Sequence, residues 1–144
     1  MAEQFDSLEL AFPVVDTGLR PVGSNVLIQL RRTKKTTKSG LILVEETRDT
    51  ERAQNAIGKV LAIGPLAYKH RDSMVEWPEG AWCKVGDYVR LPRWSGDRFS
   101  VELPKDEGDE SRTPAEEVSF TTIKDHEIWS VLEERVVLSM KSYI

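Results

Sequence analysis

Few side chains in this sequence have both the type and the spacing that catalysis requires. The single cysteine, Cys83, stands between Trp82 and Lys84, and the two histidines, His70 and His126, lie far apart without a metal-ligand spacing. None of the common phosphate-binding, zinc-protease or serine-nucleophile motifs occurs. We therefore predict that the chain is not an enzyme and holds no metal or cofactor. Cys83 is expected to be a small packed residue and His126 a polar turn residue.

A run of five cations is the second candidate for chemistry: Arg31, Arg32, Lys34, Lys35 and Lys38. Such a run can neutralise the phosphates of a nucleic acid. However, no aromatic side chain is interleaved with it to stack on bases, and two acidic segments of the chain would repel the same backbone. We therefore expect no nucleic-acid partner, and a solvated hairpin tip remains an alternative for these residues.

The third candidate is a short apolar segment, Leu41, Ile42 and Leu43, which lies between two polar stretches, residues 31–40 and 45–56. Read alone, it could be an ordinary strand. A strand placed between such long polar flanks is poorly positioned to join a compact sheet. A mobile loop that presents an apolar anchor to a protein partner accounts for both flanks, because such a segment becomes ordered only when it is bound.

The segments that must position these residues have the pattern of β-strands. Apolar runs are short, rich in Val and Ile, and separated by Gly and Pro. No 3.6-residue period persists long enough between residues 19 and 132 to indicate a helix. We predict an all-β fold, a small β-barrel, with strands at residues 26–30, 59–63, 88–91, 98–101, 118–123 and 128–132.

Length and composition are those of one small soluble domain. The chain has 144 residues, of which 40 % are hydrophobic, and it contains no apolar run long enough to span a bilayer. The first residues lack the basic and apolar regions of a secretory signal, and a single cysteine excludes an internal disulfide. We therefore expect a cytoplasmic protein with no membrane partner.

The net charge of −4 is unevenly distributed. Residues 1–18 contain four acidic side chains and no Lys or Arg, and residues 102–117 contain seven acidic side chains against two basic ones. The remaining body is therefore mildly basic. This partition predicts two acidic additions to a basic barrel.

Six segments, taken in order, resemble the co-chaperonin GroES family, the lids of the chaperonin folding chamber. They are LRPVGSNVLI at 19–28, SGLIL at 39–43, AIGKVLAIGP at 56–65, CKVGDYV at 83–89, WSGDRF at 94–99 and DHEIWSVL at 125–132. The resemblance implies a GroES-like β-barrel over residues 19–132, with a mobile loop at about 31–55 and a roof hairpin in the segment at about 64–84.

Three parts of the chain depart from the family pattern: an N-terminal extension (1–18), a C-terminal extension (133–144) and an acidic insert at about 103–115. Divergence of this kind resembles the lids encoded by bacteriophages. Residues 131–138 are apolar enough to continue as a strand or as a short helix packed on a neighbouring subunit, and the sequence does not decide between the two.

The resemblance also implies a function. Members of the family form a seven-membered homo-oligomeric ring that caps an ATP-dependent, GroEL-type chaperonin and encloses a client protein, and the ATP is used by the chaperonin. Carried over, Gly40, Leu41, Ile42 and Leu43 would bind the apical domains, with Gly40 supplying backbone freedom. Residues 31–39 and 44–55 would be tethers.

Further expectations concern the assembly. The first and last strands of the barrel would pair as exposed edges between subunits. The side chains assigned to this contact are Leu19, Val22, Val26, Ile128, Val131 and Leu132. In the roof segment, Tyr68, Trp77 and Trp82 could belong either to the core or to an interface.

Two rival functions use the same fold. One is a structural β-barrel of a virion or its assembly, which would keep the fold without the lid activity. The other is the GroES-like barrel of medium-chain alcohol dehydrogenases, but that reading requires zinc-ligand cysteines and a following nucleotide-binding domain, and neither is present in this sequence.

Overall fold

The predicted strands are present in the computed structural model, which describes residues 7–32, 56–92, 96–103 and 117–140. Each observed strand begins and ends within two residues of its predicted bounds, so the all-β prediction is confirmed. The elements are α1 (Leu8–Ala11), β1 (Asn25–Leu30), β2 (Ile57–Ile63), β3 (Tyr88–Arg90), β4 (Asp97–Glu102), β5 (Glu117–Lys124), a 3-10 turn (Asp125–Glu127), β6 (Ser130–Leu132) and α2 (Glu134–Val137).

The strands form one antiparallel sheet in the order β4-β5-β1-β2-β3-β6. β1 lies between β5 and β2, and its pairing with β2 shifts register between Leu27 and Ile28. The first strand was expected near residues 19–27 as an exposed edge, and this is wrong for residues 26–27, which are paired on both sides within this chain. Residues 19–24 belong to no strand of the sheet, and their contact with a neighbouring subunit stays a prediction. Within the described ranges the outer strands are β4 and β6.

β1 is buried on both faces, which explains its nearly continuous apolar sequence. Alternate side chains point in opposite directions along a strand. Val26, Ile28 and Leu30 enter the principal core, whereas Leu27 packs on the other face with Val118 and Phe120. The principal core also takes residues from β2, β3 and the roof segment, among them Val60, Val89, Leu91 and Tyr68.

Two glycines of the family-like segment at 56–65 permit close backbone contacts. A Cβ at Gly58 would overlap the Ile28 side chain and lie 2.8 Å from the carbonyl oxygen of Gln29. A Cβ at Gly64 would lie 2.9 Å from the carbonyl oxygen of Asn25. Both contacts are with backbone that cannot move aside, so these positions hold β2 tightly against β1 and the turn before it.

The terminal extensions pack on the sheet of their own chain. Phe12 and Ala11 of the N-terminal extension and Val137 of α2 join Ile57 and Tyr88 in a second cluster, here called the extension cluster. The open choice for residues 131–138 is thus settled: β6 ends at Leu132, and α2 follows and packs on this chain. In the parts of the chain that the structure describes, no helix is long and apolar enough to cross a membrane.

Candidate functional site

The predicted anchor residues, Gly40, Leu41, Ile42 and Leu43, lie outside the described residues, but both roots of their segment are described. The Arg31 amide donates to the Ile57 carbonyl oxygen at 2.8 Å, and the Leu91 amide donates to the Ala56 carbonyl oxygen at 2.9 Å. Leu30 also pairs with Gly58. The loop segment, residues 33–55, therefore leaves and re-enters the sheet at one place, the shared end of β1 and β2.

Arg31 was expected to belong to a solvated tether, and this expectation is wrong. Its side chain is 1 % exposed, and its Nη1 donates to the carbonyl oxygens of Val137 at 2.5 Å and Met140 at 2.8 Å. Its Nε and Nη2 have no hydrogen-bond partner among the described residues. Burial lowers the pKa of the guanidinium to about 10, so the group stays charged at neutral pH. Arg31 is a buried cation held by carbonyl groups.

Arg32 and Gln29 hold the N-terminal extension in a similar way. The Arg32 amide donates to the Ala11 carbonyl oxygen at 3.1 Å, and the Arg32 side chain donates from Nε and Nη2 to the Leu10 carbonyl oxygen at 3.0 and 2.8 Å. Gln29 Nε2 donates to the carbonyl oxygen of Pro13 at 2.8 Å. Two of the five cations of the basic run are thus bonded to the terminal extensions, and the other three lie outside the described residues.

The extension cluster adds apolar contacts beside these hydrogen bonds. The rings of Phe12 and Tyr88 are 5.2 Å apart between centroids and tilted by 57°. Burial, and after it the charge of Glu134, raises the pKa of Tyr88. Leu8, Leu132, Leu138 and Met140 pack around this pair and Val137. The loop root is therefore bordered by a small core that both extensions help to build.

The residues predicted for the subunit interface divide into two groups. Val26 and Ile128 are buried in the principal core, so their side chains face this chain and not a neighbour. Leu132 is half-buried and packs on the extension cluster. Leu19, Val22 and Val131 are exposed and remain available to a second subunit.

Trp129 is a surface residue that the sequence reading missed. Its side chain is 67 % exposed, next to the outer strand β6, and its amide donates to the carbonyl oxygen of Arg90 at 2.9 Å. Strand alternation was the available signal, since Ile128 points inward and Trp129 and Val131 then point outward. The edge of the sheet carries an exposed aromatic and an exposed aliphatic side chain together.

The aromatic residues of the roof segment lie in the core or pack against it. Tyr68 is buried, with its ring centroid 5.4 Å from that of Trp77 and 5.7 Å from that of Trp82. Its hydroxyl lies 3.4 Å from Cys83 Sγ. Burial raises the pKa values of both Tyr68 and Cys83. Tyr68 thus belongs to the core, whereas Trp77 and Trp82 are half-buried, pack against it and leave a role at an interface open. The packed position predicted for Cys83 is confirmed.

The roof segment forms a small hairpin at the opposite end of β2 from the loop roots. Lys69 pairs with Glu76 in an antiparallel bridge, and the His70 amide donates to the Val75 carbonyl oxygen at 2.8 Å. The buried carboxylate of Asp125 accepts a hydrogen bond from the Tyr68 amide at 2.9 Å and ties the base of the hairpin to the end of β5. Asp125 was not singled out from the sequence, because an Asp before a turn carries no signal of a distant partner.

Three further expectations concern His126, metal ligands and the acidic insert. His126 lies in the 3-10 turn after β5, with its side chain 64 % exposed. Among the described residues, no three potential metal-ligating side chains cluster together. Most of the acidic insert, residues 104–115, lies outside the described residues.

The fold and its site define a class: a small antiparallel β-sheet with a long segment rooted at one end and a hairpin at the other. Residues 18–132 match the model of the family described as "Chaperonin 10 Kd subunit", and the chain belongs to this family. The chain is also 32 % identical to the co-chaperonin GroES of Staphylococcus carnosus over 83 residues, which is 58 % of this chain and 80 % of that protein. It is thus a member of a co-chaperonin family, and residues 1–17 and 133–144 lie outside the matched range.

Proposed function

We propose that this protein is a co-chaperonin subunit that caps an ATP-dependent, GroEL-type chaperonin ring and encloses a folding client. Family membership over residues 18–132 is the observation that carries this proposal. The loop roots support it, because Arg31 and Ala56, on either side of residues 33–55, are both held at one end of the sheet. In this role the chain needs no cofactor of its own, because the ATP is used by the chaperonin. We propose that the protein acts in the cytoplasm, which would be the host cytoplasm for a lid encoded by a bacteriophage.

Gly40, Leu41, Ile42 and Leu43 are the proposed chaperonin-binding residues. Burying three aliphatic side chains contributes roughly 5–8 kcal/mol. Ordering each loop residue costs about 1–2 kcal/mol, so one loop binds weakly by itself. Several loops on one ring make the later contacts intramolecular, and the ring then binds tightly while each contact stays easy to reverse.

The ring itself is proposed to form through the outer strand β6. Trp129 and Val131 present apolar surface beside the side of β6 that pairs with no other described strand, and Leu19 and Val22 present apolar surface on the segment before β1. Exposed apolar groups beside a strand edge are typical of surfaces that pair with another chain. We propose that β6 of one subunit meets residues 19–22 of the next in a seven-membered ring.

The test of the proposed function is capping by the intact protein. Native mass spectrometry or negative-stain microscopy should show a ring, and this ring should bind a chaperonin when ATP is present. Ile42→Asp should abolish binding, because a carboxylate in an apolar groove is strongly disfavoured, and should leave the free energy of unfolding unchanged.

Thr36→Asp is the matched control, since it places the same charge in the same segment away from the apolar residues. This variant should bind nearly as well as the wild type. A ring that never binds a chaperonin would favour the structural β-barrel instead, and full binding by Ile42→Asp would show that the anchor is wrongly assigned.

A further inference from the structure

Both terminal extensions meet at the end of β1 where the loop segment leaves the sheet. Arg31 bonds the carbonyl groups of Val137 and Met140 in and after α2, and Arg32 bonds those of Leu10 and Ala11. The family match begins at residue 18 and ends at residue 132, so all four acceptors lie outside it. The two residues that precede the loop segment therefore contact parts of the chain that lie outside the family match.

The position of α2 depends on Arg31. A helix of one turn is not stable alone, and its last carbonyl groups have no partner within the helix. A cation at the C-terminal end supplies hydrogen bonds to these carbonyl groups and interacts favourably with the helix dipole. Nη1 of Arg31 donates to the carbonyl oxygen of Val137, the last residue of α2, and to that of Met140, three residues after it. Among the described residues, the carbonyl oxygens of Val137 and Met140 accept from the Arg31 guanidinium, and its Nε and Nη2 have no acceptor, so undocking α2 would leave a buried cation with still fewer hydrogen bonds.

The same residue fixes the loop root. The Arg31 amide bonds Ile57 at the start of β2, while its side chain bonds α2. Ile57 and Val137 are neighbours in the extension cluster. Docking of α2 and alignment of the two loop roots are therefore linked through one residue and one small apolar cluster.

We propose that Arg31 is a positioning residue for chaperonin binding, through which the terminal extensions fix the point where the loop segment leaves the sheet. This inference rests on the proposed function. If α2 detaches, the residues after Leu30 gain conformational freedom, and they must be ordered again when the loop binds. Each additional residue ordered on binding lowers the affinity of one loop by about tenfold.

Arg31→Met is the variant that tests this, because it keeps an unbranched apolar stem and removes the charged donors. We expect the affinity for a chaperonin to fall by about tenfold or more. The Arg32 and Leu91 amides, which bond Ala11 and Ala56, should exchange faster with solvent. Arg31→Lys should restore part of the chaperonin affinity and part of the protection of these amides, because it returns a cation to this position. Val137→Ala should weaken the packing of α2 and change the affinity and the amide exchange in the same direction as Arg31→Met, while Arg31 itself is kept.

Two controls separate positioning from general loss of stability. Arg135→Met removes an exposed cation of α2 that pairs with the exposed Glu133. This variant should change neither the chaperonin affinity nor the exchange of the Arg32 and Leu91 amides. Ile123→Val weakens the principal core and should lower the stability without lowering the affinity.

The outcomes distinguish the two proposals. If the wild-type ring fails to bind any chaperonin, the proposed function is contradicted. If the wild type binds and Arg31→Met binds equally well, or if the Arg32 and Leu91 amides keep their protection, only the positioning role of Arg31 is overturned.

Discussion

At the scale of single residues, buried polar groups are the informative features of this protein. Asp125 accepts a hydrogen bond from a backbone amide 57 positions earlier in the chain, and Arg31 donates to carbonyl groups more than 100 positions away. Groups of this kind cost free energy when their partner is lost, since a buried donor or acceptor is then unsatisfied. Single substitutions at these positions should therefore have larger effects than their small number of contacts indicates.

Cys83 gives a prediction for the dependence of stability on pH. Burial raises the pKa of its thiol, and the nearby charge of Asp87 acts in the same direction, against a smaller lowering by the hydrogen bond with Tyr68. The unfolded thiol, with a pKa of about 9, therefore loses its proton first. The stabilisation is complete below about pH 8 and is lost as the pH rises through the folded value.

We expect the free energy of unfolding, measured in urea, to fall between pH 8 and 10 by at most about 1.4 kcal/mol per pH unit from this group. Cys83→Ala should flatten the slope in this window, whatever it does to the stability at pH 7. An unchanged slope in the variant would contradict a raised thiol pKa. Tyr68 and Tyr88 contribute with the same sign from about pH 9 upward, because their unfolded hydroxyls titrate around pH 10, so the difference between wild type and Cys83→Ala is the quantity to compare.

At the scale of elements, the terminal extensions are parts of the folded domain. α1 has four residues and α2 has four, too few for either to be stable alone. They persist because Phe12 and Val137 are buried against Ile57 and Tyr88, and because three side chains at the end of β1 bond their backbone. The extensions and the end of β1 therefore stabilise each other.

Phe12→Ala tests this mutual dependence. Removing a buried aromatic ring from a packed cluster costs about 3 kcal/mol or more, so urea unfolding should show a loss of this size. Leu10→Ala, in the short helix that precedes Phe12, is the control, because the Leu10 side chain is half exposed and its truncation should cost only about 0.5 kcal/mol. Equal and small losses in both variants would mean that the N-terminal extension contributes little to the fold.

The sequence predicted the strands well and the extensions poorly, and the reason is physical. Asn25–Leu30 has a short, nearly continuous apolar run and Glu117–Lys124 an alternating one, and a single window of sequence reveals either pattern. A four-residue helix has no such period, and a cation beside four others has the pattern of a solvated loop. That Arg31 is buried depends on residues at 137 and 140, which no local pattern brings together. The anchor residues 40–43 stay a prediction.

At the scale of the whole molecule, the sheet separates two ends with different tasks. The loop roots lie at the start of β2, which is seven residues long, and the roof hairpin lies beyond the other end of this strand. Between them the outer strand β6 presents Trp129 and Val131. The proposed chaperonin contact at the loop roots and the proposed subunit contact at β6 therefore use different surfaces of the sheet, and the roof hairpin lies apart from the loop roots.

Trp129→Asp should disrupt the proposed ring. The side chain is exposed in the single chain, so the substitution should change the stability of the monomer by no more than about 0.5 kcal/mol. A buried aromatic at the centre of an interface contributes about 2 kcal/mol or more, and a carboxylate there adds a desolvation cost. Native mass spectrometry should therefore show folded monomers. Val85→Asp, at another exposed apolar residue, should keep the wild-type assembly, and a ring formed by Trp129→Asp would contradict the role of β6.

The burial of Cys83 also makes this chain convenient for spectroscopy. It is the single cysteine of the sequence, it is shielded by the roof aromatics, and its raised pKa keeps the thiol in its unreactive protonated form. A cysteine introduced on the surface would then be the one thiol that reacts readily with a fluorophore or spin label. A label placed within residues 33–55 could thus report on chaperonin binding, with no need to replace the native cysteine first.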